Sequence, residues 1–240
     1  MHLERPSRLN RDSFGGDCLS TDISIGLKNR DSVELVAGIL PVFYLKGEVL
    51  FLQGQRASGV FLLCSGRAKE SMVANTGRTA VVRVVGPGVI LGLTSVLTDE
   101  PHESTVEVLE PTRADFVRKV PFLHLLKTSS HLSQMVAGQL SRNCKEAYAS
   151  IRCIGLSGSV SERIARLLLH WAECPLANGG PVGVRIRVTL TQEEISQCIG
   201  STRETTSRML GEFRDKKWIT VNGSIWTINN EEAIRHLAAV

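Results

Sequence analysis

The chain has 240 residues, 42% of them hydrophobic and 22% charged, with a net charge of +4. That length accommodates two modest domains or one large one. No apolar run reaches the ~20 residues that span a bilayer, and no apolar stretch follows the basic N-terminus as in a secretory signal. The expectation is a cytoplasmic protein with no membrane partner. The small positive charge does not argue for nucleic acid by itself. From residue 156 onward, ten Lys/Arg stand against nine Asp/Glu, so any DNA-binding argument must come from arrangement.

In chain order, residues 1–28 are polar and read as a loosely attached arm. The segment "DSVELVAGIL" predicts a short helix capped by Asp31 or Ser32. From Val42 to Phe116, short runs of Val, Leu and Phe alternate with glycine turns, and Asn75-Thr76-Gly77 marks a hairpin. This rhythm predicts an all-β barrel or double-sheet roll. After Pro121 the period becomes helical. "HLSQMVAGQLSRNCKEAYASIRCI" carries a stripe through Leu132, Val136, Leu140, Asn143, Ala147, Ile151 and Ile154. Such a helix could pack on its own barrel. Its length and narrow stripe favour the seam of a homodimer, with polar Asn143 setting the register. "GLSGS" at 155–159 then reads as a hinge.

Ser159 and Glu162 form a capping-box pattern that opens a helix through Ile164, Leu167, Leu168 and Trp171. "PLANGGP" reads as a loop and "VGVRIRVTL" as a strand. Thr191 and Glu194 form a second capping box, with Leu190 and Ile195 at the staple positions. That helix ends at Gly200, and Thr202 can cap the next one. Two short helices joined by a glycine turn make a helix-turn-helix. At about 100° per residue, the second helix gathers Arg203, Glu204, Ser207 and Arg208 on one face. Thr206, Met209, Leu210 and Phe213 gather on the other. The polar set suits base edges: arginine bridges guanine O6 and N7, and glutamate accepts from cytosine N4. An ordinary solvated face, with Arg208 pairing Glu204, is the alternative. Thr191, Thr202, Lys216 and Lys217 are candidate DNA-backbone contacts. "KKWITVNGSIWTI" predicts a β-hairpin wing turning at Asn222-Gly223, and "NNEEAIRHLAA" a closing helix.

The six cysteines, Cys18, Cys64, Cys144, Cys153, Cys174 and Cys198, show no CxxC spacing, so no metal site or cofactor is expected. No Ser/His/Asp set, P-loop or metal-ligand cluster suggests an enzyme.

The glycine-rich "KGEVLFLQG" and "GVFLLCSGRAK", the long helix, the hinge and "TQEEISQCIGSTRETTSRML" together resemble the CRP/FNR transcription regulators. The resemblance covers nearly all of the chain after about Asp31. It implies an α+β chain: a β-roll sensor (cyclic-nucleotide-binding-like jelly roll) at 29–120, a dimerisation helix region at 121–155 and a winged helix-turn-helix at 156–240. It implies that Arg203, Glu204 and Arg208 read a TGTGA-like half-site of double-stranded DNA. Ser207 matches the branch that prefers TTGA. In the cAMP-binding members a glutamate holds the ribose and an Arg-Ser pair holds the phosphate. Here Leu93 stands at the glutamate position, Glu103 at the arginine and Ser104 at the serine. Tyr148-Ala149 replaces the Thr-Ser pair that meets adenine. A carboxylate where a cation meets phosphate reverses the interaction, so cAMP is not expected to bind in the usual way. The iron–sulfur branch needs several N-terminal cysteines, and only Cys18 is there. Cys64 and His102 lack the spacing for haem; Cys144 and Cys153 are the candidates for redox sensing. The effector of the roll is unknown. The alternative is an effector-free dimer whose roll contacts RNA polymerase or another protein.

Overall fold

The computed structural model describes residues 39–156, 158–173, 178–180 and 183–238. The predicted arm, residues 31–38 of the predicted helix, Cys18 and Cys174 lie outside them; Ile39 and Leu40, at the end of that predicted helix, begin a strand instead.

Two four-stranded antiparallel sheets form the N-terminal roll. One has the order β1 (Ile39–Tyr44), β8 (Thr112–Arg118), β3 (Gly59–Leu63), β6 (Ile90–Leu91). The other has the order β2 (Val49–Phe51), β7 (Thr105–Val108), β4 (Ala68–Val73), β5 (Thr79–Val85). Between the sheets lie Leu63, Leu91, Val106, Val108 and Ala114, all buried, as alternation on two facing sheets requires. Gly66 shows why the turns are glycine-rich. Its φ is +79°, and a Cβ there would lie 2.1 Å from the Thr112 hydroxyl oxygen.

The outer face of the first sheet is covered by helices. These are α1 (Leu93–Thr98), α2 (Lys119–Thr128) and the start of α3 (Ser130–Leu156). Val60, Leu62, Val96, Phe122, Leu125, Leu132 and Val136 share one buried cluster there. This corrects the predicted seam. Leu132 and Val136, each only 4% exposed, pack on the chain's own roll, and Leu140 packs partly against the same cluster. The stripe faces outward only further along, where Ala147, Ile151 and Ile154 are exposed. Asn143 is also reassigned: its side-chain carbonyl accepts a hydrogen bond from Arg83 at 2.6 Å. One stripe serves two surfaces because the roll covers only the first half of a 27-residue helix.

The C-terminal domain follows. It consists of α4 (Val160–Ala172), β9 (Asn178–Gly180), β10 (Gly183–Arg187), α5 (Gln192–Cys198), α6 (Arg203–Asp215), the hairpin β11 (Ile219–Asn222) and β12 (Ile225–Ile228), and α7 (Glu231–Ala238). Residues 178–180 are a strand rather than the predicted loop: they pair antiparallel with β10. The hairpin turn also sits one residue later than expected. Asn222 pairs with Ile225, which leaves Gly223-Ser224 as the loop, with Gly223 at φ +57°. Glycine at the first loop position supplies the positive φ of a tight hairpin.

The two domains touch. Leu109 of the roll is buried in the C-terminal core with Ile164, Leu168, Ile195 and Phe213. Lys69 on β4 lies 2.5 Å from Glu194 and 3.0 Å from Glu107. Arg187 pairs with Glu110 at 2.8 Å, and Arg67 donates to the Arg187 carbonyl at 2.6 Å. No described helix is long and apolar enough to cross a membrane.

Candidate nucleic-acid interface and roll cavity

The helix-turn-helix is built from local signals. The Thr191 hydroxyl accepts from the Glu194 amide at 3.2 Å, and the Glu194 carboxylate accepts from the Thr191 amide at 2.7 Å. This reciprocal pair satisfies the orphan donors that start α5. At the other end, Gly200 adopts φ +60° and the Ser201 amide returns to the Ser196 carbonyl at 3.0 Å, a glycine-based helix stop. Arg163 on α4 was not singled out in the sequence. Its Nη1 donates to the carbonyls of Ile199 and Gly200, at 2.8 and 3.2 Å. The turn is thus fixed from behind by one guanidinium.

Thr202 caps α6: its hydroxyl accepts from the Thr205 amide at 3.3 Å. Thr206, Leu210 and Phe213 are buried, and Met209 is half-buried beside the Ser161 hydroxyl. On the opposite face Arg203, Glu204 and Arg208 are exposed and Ser207 is half-buried. The structure therefore brings the four sequence-predicted base readers to one surface. Arg203, Glu204 and Arg208 form no ion pair within the described residues, so the Glu204–Arg208 pairing of a solvated face is not made. Lys216 and Lys217 are exposed beyond the helix end. The Lys216 ammonium sits 4.8 Å from the centre of the Trp218 ring, and Lys217 takes φ +57°.

The roll holds a second polar site, a cavity of about 40 Å³ lined by Glu70, Arg83, Leu93, His102, Ser104 and Asn143 among others. Its centre is an internal ion pair: Arg83 Nε lies 2.7 Å from Glu70 Oε2. The Ser104 hydroxyl donates to the other Glu70 oxygen at 2.5 Å, and Arg83 reaches α3 through Asn143 and Glu146. Burial opposes the charge on Arg83, but Glu70 and then Glu146 outweigh it and hold the guanidinium above its ordinary range. His102 stacks on Phe51 at 3.8 Å, and burial pushes its pKa below 6.5 despite the nearby Glu70 carboxylate.

Of the sequence-predicted pocket residues, Leu93, Glu103 and Ser104 line this cavity and Tyr148 does not. Leu93 is buried in the hydrophobic cluster under α1. Ser104 lines the cavity, and Glu103 lies at its exposed edge. Tyr148 is 62% exposed and does not line the cavity; Asn143 is the residue that α3 contributes. Cys153 and Cys198 are poor thiolates. Burial raises Cys153, and burial followed by the Glu194 charge pushes Cys198 up to about 12. Among the described residues no His/Cys/Asp/Glu group is arranged to hold a metal.

Residues 41–129 match the family of cyclic nucleotide-binding domains, and residues 162–237 match the Crp-like helix-turn-helix domain. The chain is 26% identical over 206 residues to the CRP-like cAMP-activated global transcriptional regulator of Mycobacterium tuberculosis, covering 85% of this chain and 90% of that one. It is 26% identical over 207 residues to the global nitrogen regulator of Synechococcus elongatus, covering 84% and 92%. The fold is shared with FixK2 from Bradyrhizobium japonicum at a TM-score of 0.74 and 19% identity, covering 84% and 98%. A nucleotide-type roll, a long helix and an exposed recognition helix in that order define a two-domain transcription regulator with a DNA-binding helix-turn-helix. The chain belongs to the CRP/FNR family.

Proposed function

We propose that the protein is a cytoplasmic, homodimeric regulator that reads a DNA palindrome with TGTGA- or TTGA-like half-sites. The carrying observation is the exposed set Arg203, Glu204 and Arg208 at the start of α6, backed by the buried face of Thr206, Leu210 and Phe213. The first turns of a recognition helix enter the major groove, and a two-fold dimer spaces two such helices by about 34 Å. Thr191, Thr202, Lys216 and Lys217 are the proposed phosphate contacts. Gel shifts test the reading. Arg208→Ala should cost about 1–3 kcal/mol and relax preference at one base pair. Equal weakening on every sequence would argue against base reading.

The proposed dimer face is the distal half of α3. Ile151 is 64% exposed, beside exposed Tyr148, Ala147 and Ile154. A contiguous apolar strip on a long helix supports pairing with a second copy. Ile151→Glu should yield monomers in sedimentation velocity; an unchanged dimer would place the seam elsewhere.

The roll is proposed not to take cAMP in the family's usual way. Its cavity of about 40 Å³ is far below the ~300 Å³ at which ligand pockets begin. Arg83 is already occupied by Glu70 and Glu146. The same network favours a second reading, an effector-free dimer whose roll serves protein contacts such as RNA polymerase. It ties β4 and β5 to α3 through the chain's own side chains. DNA affinity measured with and without a cell metabolite extract separates the two, and an extract-dependent change overturns the effector-free version.

A further inference from the structure

A cleft of about 370 Å³ opens between the roll, α3 and the DNA-binding domain. It adjoins the Glu70–Arg83 cavity, with Arg83 and Asn143 lining both, and extends from there to residues of the C-terminal domain. Val85 and Val89 of the roll form one wall, and Trp171, Ile186 and Val188 of the C-terminal domain form the other. Its volume falls within the range of small-molecule sites, and apolar walls with a few charged groups are their usual composition.

The charges are unbalanced. Arg67, Arg83, Arg142 and Arg187 line the cleft against one carboxylate, Glu146. Two of the four cations are neutralised: Arg83 by Glu70 and Glu146, and Arg187 by Glu110. Arg67 donates to a backbone carbonyl and has no carboxylate within 4.0 Å among the described residues. Arg142, exposed on α3, forms no hydrogen bond or ion pair with any of them. Gln139 contributes no free polar edge, because its amide is bonded to both backbone groups of Ile90. A neutral apolar ligand would leave the two guanidiniums without a counter-charge, and a compact polar anion would leave the walls wet. An anion with an apolar body satisfies both, and a carboxylate matches the donor fork of arginine.

We propose that this cleft binds a small organic carboxylate with an apolar body. The head lies on Arg142 and Arg67 and the body lies against Trp171 and the facing valines. The site does not depend on the DNA reading.

The probe is ω-bromoundecanoate, whose bromine quenches an indole on contact, titrated calorimetrically and by fluorescence into the full chain. The corresponding bromo-alcohol and citrate serve as controls. The expected result is one acid bound per chain with quenching of Trp171, the alcohol weaker by about tenfold or more, and no citrate binding. Arg142→Gln, at an exposed position, should keep the melting temperature and reduce acid affinity to that of the alcohol. Equal affinity for acid and alcohol overturns the proposal, as does an Arg142→Gln protein that binds the acid unchanged. Absence of binding, or quenching that persists in Trp171→Phe with only Trp218 and Trp226 left, overturns it equally.

Discussion

At the scale of single residues, the buried polar groups carry most of the information. Glu70 and Arg83 are direct cross-strand partners on β4 and β5, and their ion pair occupies the polar centre of the roll. Neither was legible as a pair in the sequence. Counting outward from the hairpin at 74–78 opposes Val73 to Thr79 and Ser71 to Val81. The same count opposes Glu70 to Val82. An irregularity between Glu70 and Ser71 shifts the register by one and brings Arg83 opposite instead. A bulge of that kind changes which side chains meet, and nothing in a single sequence announces it. Thr206 offers a different lesson. It is fully buried in α6, and its hydroxyl has no hydrogen-bond partner among the described residues. An unpaired buried hydroxyl is a cost that an apolar group of the same shape avoids. Thr206→Val should therefore leave thermal stability unchanged or raise it by about 1 kcal/mol. A clear loss in the denaturant midpoint would show that the hydroxyl contributes to the fold.

At the scale of elements, the reading helix was legible because its determinants are local. Capping residues, a glycine stop and a two-faced wheel all act within a dozen residues, and each appears where the pattern placed it. The long helix was half legible for the opposite reason. Its stripe is continuous in sequence, but what covers each part depends on how far the roll extends. Leu132 and Val136 went to the roll, while Ile151 stayed exposed. Gly200 joins the local and the tertiary. At φ +60° it needs the left-handed region, and a Cβ there would lie 3.4 Å from Ile154 Cγ2 on α3. Gly200→Ala should cost about 1–2 kcal/mol in chemical denaturation, with weaker DNA binding because the turn positions α6. An unaltered midpoint would mean that the turn relaxes freely.

At the scale of the whole molecule, the DNA-binding domain is fastened to the roll through charge as well as apolar contact. Lys69 sits between Glu107 and Glu194. Burial alone would raise the Glu194 carboxyl, but bonds from Lys69 and Thr191 outweigh it and hold it below 4.5. A carboxyl depressed in the folded state contributes its stability above the ordinary value and loses it as pH falls through the depressed one. Lys69 is held above 10.5, because Glu194 and Glu107 outweigh its burial. Its contribution is complete below 10.5 and is lost as pH rises through the raised value. Between those limits the contact is intact. Glu194→Gln keeps a capping-box side chain but removes the charge. Its melting temperature should fall below that of the parent at pH 7, and the two should converge as the pH falls through the depressed Glu194 value, below 4.5. A gap that stays constant with pH would remove the ion pair from the account.

Glu194 also divides its two oxygens. One accepts from Lys69 on the roll, and the other closes the first turn of the helix-turn-helix through the Thr191 amide. The same carboxylate is therefore both a fastener and a cap. Were the domains to part, it would lose one of its two anchors and its rotamers would loosen. The Thr191 proton would then exchange with solvent faster than its exposure alone suggests. The molecule thus carries, in a single amide, a built-in gauge of how its two halves are joined.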